Sequence, residues 1–215
     1  MYLSALGRAH SPVNSFERCE SLFQDVQSLP DEELLRLCAR NENPALEELV
    51  RRYQSPLTRL LTRLLSNPAD VEEALLSVFL RAWQYAPRFQ YRARVSTWLY
   101  RIAVNIATDV QKRRKQQPQQ SWSQQVENAF PQSNIEEEAL RRLEREAQAQ
   151  ALQRALNRLH PTDRLLLILY YYEQMEYEEI QAITQLSYTV LKTRLTRARR
   201  RLRQLLEAED QEVGQ

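Results

Sequence analysis

Two short blocks of this sequence combine arginine and lysine with almost no acidic residues. The first, residues 81–117, carries nine basic side chains against the single acidic Asp109. The second, residues 192–203, carries seven basic side chains and no acidic one, although the net charge of the whole chain is only +2. Solvated helix faces usually mix charges of both signs. The two blocks therefore predict contacts with a polyanion such as nucleic acid.

The first block interleaves its cations with aromatic rings. Aromatic rings stack on unstacked bases, arginines follow the phosphates, and an asparagine amide can read a base edge. A loop and one polar face of the helix after it supply these groups: Phe89, Tyr91, Arg92, Arg94, Trp98, Arg101, Asn105, Thr108 and Lys112. The block predicts a reader of single-stranded or melted DNA. The alternative for Phe89 and Trp98 is that they complete the hydrophobic core.

The second block lies on the last helix of the chain, after a short helix and a turn. This order is typical of a helix-turn-helix, whose second helix presents its N-terminal residues to base edges and later ones to the backbone. Base-edge candidates are Tyr188, Thr189, Lys192 and Thr193. Thr196 continues the same face, and the phosphate candidates are Arg197, Arg199 and Arg200. Phosphate contacts position a protein on DNA, whereas base contacts specify the sequence.

The elements that hold these residues are predicted from the near absence of glycine. The chain has two glycines, Gly7 and Gly214. Phosphate-cradling loops, dinucleotide fingerprints and tight hairpins all need glycine, so an all-α fold is expected. We predict two small helical domains joined by a flexible linker, the second domain a helix-turn-helix. The predicted segments are an N-terminal extension 1–30, a first domain 31–115, a linker 116–133, a second domain 134–207 and an acidic tail 208–215.

Other classes of protein find little support. His10 and His160 are isolated, so neither a metal site, a cofactor nor an enzyme is expected. The longest apolar run, Leu165–Tyr172, has eight residues, whereas a transmembrane helix needs about 20, which predicts no stable membrane insertion. Cys19 and Cys38 lack metal-ligand spacing and are interpreted as reduced thiols of a cytoplasmic protein.

Four stretches of the chain resemble the extracytoplasmic-function (ECF) sigma factors, small bacterial RNA polymerase sigma subunits of the sigma-70 family. They cover about residues 31–115 and 150–207, in the order found in that family. The stretches are ENPALEELVRRYQSPLTRLLTRLL, NPADVEEALLSVFLRAW, RFQYRARVSTWLYRIAVNIATDVQKRRK and ALNRLHPTDRLLLILYYYEQMEYEEIQAITQLSYTVLKTRLTRARRRL. STWLYRIAVN followed by DVQKRRK carries the resemblance most specifically.

The resemblance implies a protein that binds core RNA polymerase and directs promoter recognition, melting of the −10 element and transcription initiation. The first domain would dock on the β′ coiled coil through Asp70, Glu72, Glu73, Phe79 and Arg81. The first basic block would capture the −10 single strand, and the linker would follow the polymerase toward the RNA path. The second domain would sit on the β flap while its last helix reads the −35 duplex. An anti-sigma partner, the promoter sequence, the stimulus and the role of residues 1–30 stay open.

Two pairs of residues depart from the family pattern. Leu76 and Ser77 stand where a glutamine and an acidic residue are usual, which leaves open the strength of polymerase docking. Thr184 and Gln185 stand in the helix-turn-helix turn where glycine is usual, so the turn is expected to use a non-glycine conformation. The alternative function is a stand-alone helix-turn-helix regulator of duplex DNA, which leaves the first basic block without a role.

Overall fold

The computed structural model describes residues 26–65, 67–116 and 136–213, and every regular element in these ranges is helical. The all-α prediction is therefore confirmed for the described part of the chain, while Cys19 and residues 117–135 lie outside it. The α-helices are α1 Asp31–Cys38, α2 Asn43–Leu64, α3 Pro68–Tyr85, α4 Val95–Gln116, α5 Glu136–Asn157, α6 Pro161–Leu167, α7 Tyr177–Thr184 and α8 Tyr188–Val213. None of them is long and apolar enough to cross a membrane.

Helices α1 to α4 pack against one another as a first bundle. Leucines at helical spacing supply its centre, and Leu57, Leu60 and Leu99 are fully buried. Helix α3 begins where the sequence predicts a break, because the Asn67 side chain accepts a hydrogen bond from the Ala69 N–H at 2.9 Å and proline occupies the first helical position. Both features stabilise a helix N-terminus.

Helix α2 runs unbroken through Pro56, whereas the sequence predicts one helix through Tyr53 and another from Pro56. A proline inside a helix removes one backbone hydrogen bond and costs about 3 kcal/mol. The apolar stripe that includes Leu49, Leu57 and Leu61 continues on one face across the proline, and all three side chains are buried. Burial of a leucine contributes about 1.5–3 kcal/mol, so packing outweighs the proline and the prediction of two helices is wrong.

Helices α5 to α8 pack together as a second bundle, with α8 against α5, α6 and α7. Helix α6 continues into a π-helical segment, Ile168–Tyr172, in which the Glu173 N–H donates to the Ile168 carbonyl at 3.1 Å. Helix α7 begins with a capping box between Glu176 and Glu179. Its start at Tyr177 and the start of α8 at Tyr188 agree with the prediction of a helix-turn-helix.

The turn between α7 and α8 corrects one expectation. Gln185 takes the left-handed conformation (φ 60°, ψ 20°), which is the conformation that glycine supplies at a helix C-terminus. Its backbone N–H donates to the Gln181 carbonyl at 2.8 Å, and its side-chain Nε2 donates to the Ala182 carbonyl at 2.8 Å. The turn therefore keeps the glycine-type geometry and stabilises it with local hydrogen bonds.

Candidate nucleic-acid interface

Three aromatic side chains form a cluster at the start of α4. The ring of Phe89 lies in the middle, 4.8 Å from the Tyr91 centroid and 4.9 Å from the Trp98 centroid. Phe89 and Trp98 are half-buried and pack against the core, while Tyr91 is 38% exposed. Two rings are thus anchored, and the third presents an accessible face. The exposed Arg92 and Arg94 follow directly in the chain.

Tyr91 has a left-handed backbone, with φ at 54°. This region is unfavourable for a bulky side chain, and such strain is characteristic of functional sites. The guanidinium carbon of Arg36 lies 4.9 Å from the centre of the Tyr91 ring, within the distance of a cation–π interaction. Arg36 is on α1, far away in the chain, so no local pattern could have indicated its contact with the cluster.

The polar face of α4 lies in continuation of the cluster. Arg101, Asn105, Thr108 and Lys112 are all exposed on this helix. The Thr108 hydroxyl donates to the Val104 carbonyl at 2.7 Å, which leaves the arginine, asparagine and lysine as the groups of this row that extend to solvent. Trp98 of the cluster and the exposed Arg101, Asn105 and Lys112 follow one another on α4 at helical spacing.

The first turns of α8 are open to solvent. Tyr188 is 49% exposed and Val190 is 43% exposed, whereas Leu191, Leu195 and Ala198 are buried against the second bundle. The predicted polar candidates on this helix are all exposed: Thr189, Lys192, Thr193, Thr196, Arg197, Arg199 and Arg200. Val190 was missed by the sequence interpretation because an apolar residue beside a buried stripe looks like part of it.

A row of tyrosines connects α8 to the π-helical segment. The Tyr188 ring is 5.6 Å from Tyr177, which stacks at 5.6 Å on Tyr170. The Arg199 guanidinium carbon lies 5.2 Å from the centre of the Tyr170 ring and 5.4 Å from that of Tyr171. Arg199 is therefore held against aromatic rings, in contrast to Arg197 and Arg200.

Helix α3 presents a mixed acidic and apolar surface. Glu72, Glu73 and Arg81 are exposed. Asp70 forms an ion pair with Arg114 of α4, and Phe79 is 7% exposed within the core. Two exposed leucines continue the surface that begins with Glu72 and Glu73, because Leu76 is 63% exposed and Leu80 is 52% exposed. The sequence interpretation placed Leu76 there but missed Leu80.

The residues on these surfaces are suited to binding. Within the ranges that the structure describes, no group of histidine, cysteine and carboxylate side chains could hold a metal ion. What the described residues do present is two separate basic helices, one beside an aromatic cluster and the other in a helix-turn-helix. Cations follow phosphates and aromatic rings stack on bases. These features define an all-helical nucleic-acid-binding protein.

Comparison with known proteins identifies the family. Residues 49–117 match the model of Sigma-70 region 2, and residues 149–202 match that of Sigma-70, region 4. The ECF RNA polymerase sigma factor SigM of Mycobacterium tuberculosis is 30% identical over 176 residues, with 82% of this chain and 84% of that protein aligned. SigW of Bacillus subtilis is 28% identical, with 78% of this chain and 91% of that protein aligned.

Solved structures share the fold. CnrH in complex with the cytosolic domain of CnrY has a TM-score of 0.59 at 24% identity, with 83% of this chain and 97% of that chain covered. The sigma factor RpoE of Bartonella quintana, in complex with the anti-sigma factor NepR, has a TM-score of 0.56 at 20% identity, covering 75% and 96% of the two chains.

The chain belongs to the ECF sigma factors of the sigma-70 family. It binds core RNA polymerase and directs promoter recognition and transcription initiation. Sigma factors are in general not enzymes. The resemblance that the sequence motifs predict is confirmed by these matches.

Proposed function

We propose that the first bundle opens promoters by capturing the melted −10 strand on the aromatic cluster and the polar face of α4. The observation that carries this proposal is that the exposed Tyr91 ring belongs to the aromatic cluster at the start of α4. Arg101, Asn105 and Lys112 then follow on this helix at helical spacing from Trp98, and all three are exposed. A flipped base stacks on the tyrosine, the arginine and lysine follow the phosphates, and the asparagine reads a base edge. Arg36 positions the ring.

Melting then follows from binding, without a catalytic residue. Unstacking a base costs a few kcal/mol, and stacking on an aromatic side chain returns about 1–3 kcal/mol per base. Arg92 and Arg94 contribute phosphate contacts next to the cluster. Phe89 packs against Tyr91, and Trp98 packs against Phe89. The strained backbone of Tyr91 keeps the ring oriented before DNA arrives, which lowers the cost of ordering it on binding.

The second bundle reads the −35 duplex in our proposal. The first turn of α8 enters the major groove, with Tyr188, Thr189, Lys192 and Thr193 at base edges and Val190 against a thymine methyl group. Arg197 and Arg200 contact phosphates, with Thr196 beside them. Arg199 packs against Tyr170 and Tyr171, which holds α8 in place, and its guanidinium contacts the DNA backbone from this position. Loss of Arg197 or Arg200 should weaken binding to all DNA sequences alike. Changes at Thr189 or Val190 should instead alter which sequence is preferred.

Polymerase docking is assigned to α3 and the second bundle. Asp70, Glu72, Glu73 and Arg81 face the β′ coiled coil, Phe79 supports them from the core, and Leu76 adds an apolar contact where the family has polar residues. The second bundle rests on the β flap, with the linker along the polymerase between them. An anti-sigma factor of the kind bound to the RpoE structure is a proposed regulator. The cytoplasm, where polymerase and promoters lie, is the proposed compartment.

Transcription on genomic fragments tests this function. Bacterial core polymerase is incubated with the full chain, and transcript 5′ ends are mapped by sequencing. We expect starts at a defined set of promoters that core polymerase alone does not use. Starts no more specific than those of core alone would exclude sigma activity, and duplex binding by the chain without polymerase would favour the stand-alone regulator.

The −10 assignment is tested by Arg101→Ala with Asn105→Ala. This variant should still bind core polymerase but form open complexes at least tenfold less well, as loss of about 1.4 kcal/mol or more predicts. Arg113→Ala with Gln116→Ala is the matched control, because it also removes one arginine and one side-chain amide from exposed positions of α4. Normal opening by the first variant, or its failure to bind core, would contradict the assignment.

A further inference from the structure

Tyr188 is a base-edge candidate whose ring is already in contact with the second bundle. It is the first residue of α8, and it is 49% exposed. Its ring centroid lies 5.6 Å from that of Tyr177, and the two ring planes meet at 74°. This is the edge-to-face geometry that aromatic pairs prefer. The ring therefore has a supporting neighbour, although nearly half of the residue is open to solvent.

Tyr177 is itself held in place at the start of α7. It is the first residue of this helix, and the capping box between Glu176 and Glu179 fixes where the helix begins. Its ring stacks on that of Tyr170, with 5.6 Å between the centroids and 29° between the planes. Both of these rings are partly buried and pack against the core. Tyr188 thus leans on a neighbour whose own position is fixed.

Tyr170 belongs to the π-helical segment that follows α6. The residue before it, Leu169, is fully buried, and the Tyr171 ring meets Tyr170 edge-on at 5.0 Å. π-Helical turns are rare and occur frequently at functional sites. Here the segment anchors the inner end of the tyrosine row, which consists of Tyr188, Tyr177 and Tyr170.

The tyrosine row meets α8 at a second point. Arg199 lies about three turns after Tyr188 on this helix, and its guanidinium carbon is 5.2 Å from the centre of the Tyr170 ring. Tyr170 therefore contacts α8 directly through Arg199 and, by way of Tyr177, through Tyr188. Contacts at two heights of one helix limit how far it can slide or roll, so the first turn of α8 keeps a fixed relation to the rings.

An exposed tyrosine that reads a base loses its free rotation when it binds. Ordering such a side chain weakens binding, and a ring that is oriented beforehand avoids that loss. An aromatic pair favours one orientation by about two- to tenfold. The tyrosine hydroxyl can both donate and accept a hydrogen bond, so a freely rotating ring tolerates several base edges. A ring in a fixed orientation discriminates among them, because each base pair presents its own pattern of donors and acceptors in the major groove.

We propose that Tyr177 is a positioning residue for −35 recognition, which holds the Tyr188 ring so that Tyr188 selects one base at one base pair. The proposal rests on the proposed reading of the −35 duplex by α8. Tyr177 acts through Tyr188 and not through a DNA contact of its own. Its loss should therefore change the base preference at one base pair and leave unchanged the preferences set by Thr189 and Lys192.

The test measures initiation by core polymerase with the full chain on a promoter library whose −35 element is randomised. Transcripts are counted by sequencing, and the preference at each base pair is the initiation from the favoured base relative to the other three. Tyr188→Ala identifies the base pair that Tyr188 reads, because the preference should fall there alone. Unchanged preferences at every base pair after Tyr188→Ala would overturn the base-edge role of Tyr188 and the positioning role of Tyr177 with it.

Tyr177→Leu and Tyr177→Phe form the matched pair for the positioning role. Both keep an apolar side chain in the partly buried position, but only phenylalanine keeps a ring beside Tyr188. Tyr177→Leu should lower the preference at the Tyr188 base pair by about two- to tenfold, and Tyr177→Phe should retain it. Tyr177→Leu combined with Tyr188→Ala should lower it no further than Tyr188→Ala alone. Equal preferences in the leucine and phenylalanine variants would overturn the proposal.

A further control separates positioning from general damage. Tyr172→Leu makes the same change in the π-helical segment, where Tyr172 is 42% exposed and its ring packs on Arg63 of α2. This variant should leave all −35 preferences unchanged. An equal fall at every base pair in Tyr177→Leu would show damage to the whole bundle and overturn the positioning role. Absence of promoter-specific starts with the wild type would instead overturn the sigma function on which the proposal rests.

Discussion

Glu48 on α2 is a carboxylate that the fold both buries and pairs. It is 3% exposed and accepts hydrogen bonds from Arg51 Nε at 2.7 Å and Arg52 Nε at 2.6 Å. These bonds, that of Arg51 above all, lower the pKa of Glu48 from 4.5 to about 2. A carboxyl group whose pKa is lower in the folded chain adds stability above its unfolded pKa and loses it as pH falls toward the folded value.

We therefore expect Glu48→Gln to flatten the acid dependence of stability. Between pH 5 and pH 2 the free energy of unfolding should fall by about 2–3 kcal/mol more in the wild type than in the variant. Urea denaturation at several pH values measures this difference. Glu47→Gln, at an exposed neighbouring position, should follow the wild type. Parallel pH curves for the wild type and Glu48→Gln would show that the pair adds no pH-dependent stability.

At the scale of the element, the helix-turn-helix carries a left-handed residue without glycine. This conformation costs a non-glycine residue about 1–2 kcal/mol. Gln185→Gly should raise the free energy of unfolding by about 0.5–1 kcal/mol, because it removes that cost and keeps the backbone hydrogen bond to Gln181. The change corresponds to a few degrees in Tm, measurable by calorimetry.

Gln185→Ala is the control for this turn. Alanine keeps the unfavourable φ and loses the side-chain hydrogen bond to Ala182, so it should not be more stable than the wild type. Both variants lack the side-chain bond, so a glycine variant that melts at or below the temperature of the alanine variant would show that the left-handed conformation has no cost at this position.

Helix boundaries show how much of the fold the sequence could predict. The Asn67–Pro68 break and the starts of α7 and α8 follow from local residue types, so they were predicted correctly. The passage of α2 through Pro56 depends on burial in the assembled bundle, and the π-helical segment lies in an apolar run without periodicity. Neither has a local signal.

The candidate site was likewise predictable only in part. Spacing on one helix was enough to group Arg101, Asn105 and Lys112, and the structure exposes all three. Contacts between distant parts of the chain were out of reach, since nothing near Arg36 indicates Tyr91 and nothing near Tyr100 indicates its hydrogen bond to Glu173. Helix α4 also packs against α7 of the second bundle, and spacing along one helix does not predict a contact with another domain.

At the scale of the whole molecule, we expect the length of chain between α4 and α5 to limit which promoters can be served. Deletion of residues 119–128 would leave a reach of only about 30 Å. We expect this variant to bind core polymerase normally but to lose at least tenfold in initiation, measured by mapping transcript starts. Replacing the same ten residues with a glycine–serine segment of equal length is the control and should retain initiation. Full activity of the deletion would show that reach is not limiting.

The contact between Phe89 and Trp98 has an optical consequence. Trp98 is half-buried beside the ring on which Tyr91 rests, so its indole lies next to the proposed site of the melted strand. Nucleobases quench indole fluorescence when they come into contact with it. The part of the natural emission that comes from Trp98, one of three tryptophans in the chain, should therefore dim as a promoter opens. Stopped-flow recordings compared with Trp98→Phe would isolate this signal without an attached dye.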